Sequence, residues 1–100
     1  MFTLPTNEEL LIEIKACRNS GQMSEELGNM FFQICDQFIN LKKFEHFTDE
    51  WKKPRQEYAL DSLQRMWQHF NPEKSSNPMG YFRCCVGCAI AAFRKKEMQV

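Results

Sequence analysis

The segment Cys84-Cys85-Val86-Gly87-Cys88 is the densest group of chemically reactive side chains in the sequence. Cys85 and Cys88 have C-x-x-C spacing and Cys84 adds a third thiol, a pattern associated with soft metal ions and with dithiol–disulfide cycling. A closed zinc site needs four ligands, and its second pair is usually spaced like the first. The sequence has no second C-x-x-C and no H-x3-H; His46 and His69 are isolated, and Cys17 and Cys35 fall in apolar stripes. No metal ligand and no cofactor is therefore expected. A redox role lacks the βαβ pattern that usually surrounds such a pair. Tyr81 lies just upstream of the cysteines, Arg83 beside them, and Arg94, Lys95 and Lys96 downstream. An aromatic ring, small neutral side chains and nearby cations suit a nucleobase and its phosphates. An ordinary solvated helix face with a tyrosine at its edge has the same pattern.

Other chemistry is poorly represented. A Gly-rich phosphate loop, G-x-S-x-G and H-E-x-x-H are all missing. The acidic pairs Glu8-Glu9 and Glu25-Glu26 sit in first helical turns, where they complement the helix dipole. The protein is expected not to be an enzyme and to have no catalytic residue.

The elements that must position these residues are helical throughout. Thr6 and Glu9 have capping-box spacing, Leu10, Leu11, Ile14 and Cys17 follow at helical intervals, and Asn19-Ser20-Gly21 closes the helix. Ser24 opens a second helix whose stripe is Leu27, Met30, Phe31, Ile34, Cys35, Phe38 and Leu41, ending near Lys42-Lys43. A short turn is expected over 48–53. A third helix should run from Pro54, in a first turn, to Phe70, with a core face of Ala59, Leu63, Met66 and Phe70. Residues 71–77 are a polar connection. Asn77-Pro78 then caps a fourth helix reaching Glu97, with Phe82, Val86, Ala89, Ile90 and Phe93 inward. Nothing alternates with period two. The expected fold is all-α, a compact bundle of about four helices in a single domain.

Composition agrees with a single globular domain: 100 residues, 43% hydrophobic and 26% charged. The longest apolar stretch, Cys84 to Phe93, is about half the ~20 residues a bilayer crossing needs, so no membrane partner and no export signal are expected. The net charge of zero conceals a dipole, with 4 basic against 9 acidic residues in 1–50 and 9 against 4 in 51–100. A basic half suits an anionic partner such as nucleic acid, and internal salt bridges give the same split. Five cysteines, an odd number, point to free thiols in a reducing cytoplasm.

The order of these features resembles region 2 of the sigma-70 superfamily of transcription initiation factors, above all the late-transcription members of T-even-type bacteriophages. The residues that carry the resemblance are Phe47-Thr48 with Trp51-Lys52, a helix ending in His69-Phe70, the connection Asn71 to Lys74, Asn77-Pro78 with Tyr81, and the closing Lys95-Lys96-Glu97. The resemblance implies opening helices over 1–46, a polymerase-docking helix within 47–70, a connection over 71–77 and a promoter-melting helix over 78–97. It implies docking on the clamp helices of the RNA polymerase β′ subunit through Glu57, Tyr58, Leu60, Asp61 and Gln64. Leu60 falls off the core stripe, so the residues agree that it needs a partner, either polymerase or the second helix. Promoter DNA, as an A·T-rich −10-like element, would meet Tyr81, Arg83, Cys84, Cys88, Arg94, Lys95 and Lys96. Tyr81 would stack on a flipped base.

One departure stands out. The two tryptophans and polar base readers of primary sigma factors are replaced here by Cys84, Cys85 and Cys88, with Ala91 beyond. No helix-turn-helix and no acidic-aromatic tail follows, so the reading expects a phage coactivator and the cytoplasm of an infected bacterial cell. The alternative is a regulator that occupies the sigma docking site and inhibits host transcription without binding DNA. A small helical protein with a cysteine metal or redox site is a third possibility.

Overall fold

The computed structural model describes residues 4–98, with side chains through Phe93. Four helices follow one another: α1 (Asn7–Ser20), α2 (Glu25–Ile39), α3 (Asp49–Met66) and α4 (Pro78–Met98). Short 3-10 turns, Lys42–Phe44 and Trp67–His69, lie before and after α3. No strand occurs among the described residues, and the chain is an all-α bundle. No helix among them is long and apolar enough to cross a membrane.

Local chemistry explains the helix starts. Thr6 Oγ1 accepts from the Glu9 N–H at 3.1 Å, and the Glu9 carboxylate accepts from the Thr6 N–H at 3.2 Å, a complete capping box. Ser24 and Thr48 cap α2 and α3 by accepting from the Leu27 and Trp51 N–H groups. Gly21, at φ 79°, ends α1 in the left-handed conformation that glycine adopts at low cost. Asn77 Oδ1 accepts from the Gly80 N–H at 3.1 Å, while Asn7 of α1 accepts from the Met79 N–H at 2.9 Å. The start of α4 is thus capped from its own connection and from α1. A Cβ at Gly80 would lie 2.5 Å from the Asn77 amide nitrogen, so glycine makes room for the cap.

Three expectations change. Pro54 does not begin a helix; α3 starts at Asp49 and holds Pro54 inside it. The proline lacks an N–H for the Glu50 carbonyl, but Glu50 is exposed and lies in the first turn, where water replaces that bond. Helix α2 ends at Ile39 with Asn40 as its cap, not at Lys42-Lys43, because the Asn40 side chain turns back to the Asp36 carbonyl at 2.8 Å. The core row of α3 is Arg55, Ala59, Leu63 and then Trp67 at strict four-residue intervals, while Met66 is 40% exposed. Trp67, 3% exposed, takes the core position expected for Met66.

The core centres on Phe31 of α2 and Phe82 of α4, whose rings meet edge to face at 4.8 Å and 63°. Leu10 and Ile14 of α1, Leu27 and Ile34 of α2, Leu63 of α3 and Val86 of α4 close around them. Helix α4 packs most extensively on α3. Near the other end of that interface Arg55 is 6% exposed. Its guanidinium carbon sits 4.1 Å from the Trp51 ring centre and 5.0 Å from that of Phe93. It also donates to the Trp51 carbonyl at 2.8 Å. Such a cation–aromatic contact, shielded from water, is worth about 2 kcal/mol. Phe47 stacks on Trp51 at 4.0 Å and 15° and extends this aromatic group into the α2–α3 connection.

Truncation tests the corrected core row. Trp67→Ala should destabilise the protein by roughly 3–5 kcal/mol, as large-to-small core changes do. Met66→Ala should cost well under half of that in the same denaturant titration. Equal losses would return Met66 to the core.

Candidate functional site: an apolar cysteine-lined cleft between α3 and α4

The row Tyr58, Ser62 and Met66 runs along α3 at four-residue spacing, beside the buried row and one residue out of phase with it. Across from it α4 presents Tyr81, Cys84, Cys85, Cys88, Ala89 and Ala92. Together the two rows line an open, predominantly apolar cleft. The burial of Phe82, Val86 and Ala89 sets the rotation of α4 that puts these residues on the cleft side. Tyr58 meets Phe93 edge-on at 5.6 Å and closes one end. Tyr81 lies 5.3 Å from Phe70 and closes the other.

Tyr81 is half-buried rather than projecting. Its side chain lies beside Cys85, one turn on. Burial raises the Tyr81 pKa, and the neighbouring Cys85 raises it further. Burial likewise raises that of Cys85, with Cys84 adding to the effect. Cys84 and Cys88 are exposed, whereas Cys17 and Cys35 are buried in the core. All five are free thiols. Burial, with Asp36 adjacent, pushes the Cys35 thiol up to about 12 from its ordinary 9.0.

The structure separates the residues expected on the nucleic-acid face. Tyr81, Cys84 and Cys88 share the cleft. Arg83, two residues from Tyr81, points about 160° away around the helix and is not part of the cleft lining. Arg94, Lys95 and Lys96 fall on the backbone of α4, but their side chains lie outside the described residues.

The expected polymerase-contact set also divides. Glu57, Asp61 and Gln64 form the exposed outer face of α3. Asp61 pairs with Arg65 one turn on, at 2.9 Å. Leu60 is half-buried on the α2 side and packs against the core. It lines a shallow groove with Phe32, Ile39 and Glu57. The partner it needs is at least partly α2 of its own chain. Tyr58 belongs to the opposite flank and to the cleft.

Sequence reasoning missed Met66, Ser62 and Ala92 as cleft residues. The signal was present in the i, i+4, i+8 row Tyr58-Ser62-Met66. It competed with the assignment of Met66 to the core, which periodicity alone does not resolve. No group of three or more His, Cys, Asp or Glu side chains among the described residues is placed to hold a metal ion. The chain matches no protein-family model, no curated protein and no solved structure at a significant level.

Two measurements check this arrangement. Alkylation with iodoacetamide, followed site by site by mass spectrometry, should modify Cys84 and Cys88 first and Cys85 more slowly. Cys17 and Cys35 should react only on unfolding; early labelling of Cys35 would contradict its burial. The raised Cys35 pKa also makes stability depend on pH. Below pH 9 the thiol is protonated in both the folded and unfolded states and contributes no loss. Between 9 and about 12 only the unfolded chain releases the proton, so stability falls across that window. Cys35→Val should remove that part of the alkaline loss in melts at successive pH values.

Proposed function

We propose that the protein is a minimal sigma region 2-like specificity factor. The exposed face of α3, with Glu57, Asp61 and Gln64, docks on the β′ clamp helices of bacterial RNA polymerase. The α3–α4 cleft then receives an unstacked base of an A·T-rich −10-like promoter element against Tyr81. Arg94, Lys95 and Lys96 supply phosphate contacts, and a phage coactivator completes promoter recognition in the infected cell's cytoplasm.

The observation that supports this reading is the adjacency of two different surfaces on consecutive helices. One is acidic, polar and exposed. The other is an apolar cleft with an aromatic ring at the first turn of α4. They occur in the chain order that the family resemblance implies. Base stacking on an aromatic side chain contributes ~1–3 kcal/mol, which offsets part of the cost of unstacking the duplex. The cysteines are poor hydrogen-bond partners, so recognition would rely on stacking and on easily deformed A·T steps.

One observation favours the second reading. Among the described side chains the cleft lining contains no cation, because Arg83 faces elsewhere. On that reading the protein occupies the sigma docking site and inhibits host transcription without touching DNA.

Run-off transcription with core polymerase on linear and supercoiled A·T-rich templates separates the two. Start-site-specific transcripts support the first reading, and core binding with loss of host sigma activity supports the second. Glu57→Lys with Asp61→Lys should abolish core binding and leave the helical circular dichroism spectrum intact. These exposed positions serve better than Leu60, whose replacement by a charge would disturb packing on α2. Tyr81→Ala should lower open complexes on linear DNA by about tenfold, in line with the loss of one stacked base. A pre-melted bubble should rescue it. Tyr81→Phe should stay near wild type, since the ring keeps both the stacking surface and the contact with Phe70. Normal transcription by a folded Tyr81→Ala protein would remove the cleft from the mechanism.

A further inference from the structure

The α3–α4 cleft carries a donor set that base stacking does not use. Its lining holds three thiols, Cys84, Cys85 and Cys88, and one thioether, Met66. Among the described residues the other side-chain donors there are the hydroxyls of Tyr58, Ser62 and Tyr81, with no carboxylate, imidazole or amine. Met66 comes from the opposite helix. At 40% it is one of the few exposed large apolar side chains among the described residues. It lines the same cleft as the cysteines.

Helix geometry decides what these thiols do together. Cys84 and Cys88 are one turn apart and both exposed on continuous α-helix. Side chains at that spacing have Cβ atoms about 5–6 Å apart. A disulfide needs Cβ atoms about 3.5–4.5 Å apart, so the intact helix disfavours a direct S–S bond. A single ion between the sulfurs has no such conflict, because two metal–sulfur bonds of about 2.3 Å reach sulfurs up to roughly 4.6 Å apart. Ligand type then selects the ion. Hard cations require oxygen ligands, and zinc in a closed site requires four ligands. Thiolate and thioether sulfur suit Cu(I), zinc and Fe–S clusters, and of these Cu(I) is the one satisfied by two or three sulfur ligands.

We propose that the cleft is a binding site for a soft monovalent cation, Cu(I), held by the thiolates of Cys84 and Cys88 with the Met66 thioether as a third ligand. Binding releases two thiol protons to solvent and leaves copper in the Cu(I) state, so no oxidant or reductant is consumed. Cys85 is half-buried, unlike the exposed Cys84 and Cys88, and is not a required ligand. The site stands independently of the nucleic-acid reading.

The test is an anaerobic competition in which Cu(I) is presented as its coloured bicinchoninate complex with ascorbate. The wild-type chain should remove one equivalent of Cu(I) per molecule, with excess Zn(II) making no difference. X-ray absorption of the loaded protein should show sulfur scatterers only. Cys84→Ser with Cys88→Ser should lose uptake entirely while circular dichroism stays helical. Met66→Leu should bind more weakly, and Cys85→Ser should bind as wild type. Failure of the wild type to compete, or undiminished uptake by the Cys84/Cys88 double variant, would overturn the site. Unchanged affinity in Met66→Leu would overturn the assignment of the thioether, and that variant remains informative if the double variant unfolds.

Discussion

The contact between Phe31 and Phe82 governs the arrangement of the other parts. Two large rings meet edge to face in the middle of the bundle, and neither is accessible to water. Edge-to-face pairing adds about 0.5–1.5 kcal/mol beyond the apolar area buried. Its larger consequence is geometric. With Phe82 fixed inward, helical rotation leaves no choice about the rest of α4: Val86 and Ala89 follow it into the core, and Tyr81, Cys84 and Cys88 must line the cleft facing α3. Phe70 packs against both Phe82 and Tyr81, at 5.8 and 5.3 Å, and so joins the core to the cleft.

Helix α1 has a function in this arrangement beyond adding apolar area. Its first residue, Asn7, accepts from the Met79 N–H at the start of α4. Near its other end Arg18 Nη1 donates to the Phe70 carbonyl at 3.1 Å. These bonds hold both ends of the polar connection over 71–77. The connection itself is shaped by Asn71, whose side chain accepts from the Glu73 N–H at 2.9 Å. A loop with little core of its own is thereby fixed by hydrogen bonds that satisfy helix ends, and the distance between α3 and α4 is set at the end where Tyr81 lies.

The opposite end of the α3–α4 pair is held by different chemistry. Arg55 is buried between Trp51 and Phe93, so a charged group occupies a position where the other helices place aliphatic side chains. Burying a cation without compensation is expensive. The two aromatic faces and the Trp51 carbonyl contribute to that compensation. The cleft therefore lies between two aromatic closures, Tyr58 with Phe93 at one end and Tyr81 with Phe70 at the other.

By itself the sequence determined the helical class, the number of helices and most of their ends. These are local properties: capping residues such as Thr6, Ser24 and Asn77, the glycine at position 21, and apolar spacing at 3.6 residues act within a few positions of the chain. It also placed Cys84 and Cys88 on the outer side of α4, because Phe82, Val86 and Ala89 define an unmistakable inner one. Tertiary packing decided what periodicity leaves degenerate. Met66 ends α3 and Trp67 opens the 3-10 turn after it, and either satisfies the stripe through Ala59 and Leu63. The core admitted Trp67 and left Met66 to the cleft. Arg55 is a cation that periodicity alone does not place in the core, and the rings of Trp51 and Phe93, brought together from two helices, contribute to making its burial favourable. Tyr58 and Leu60 both read as outer residues of α3. They lie on opposite flanks of that helix, and the positions of α4 and α2 gave each a different neighbour.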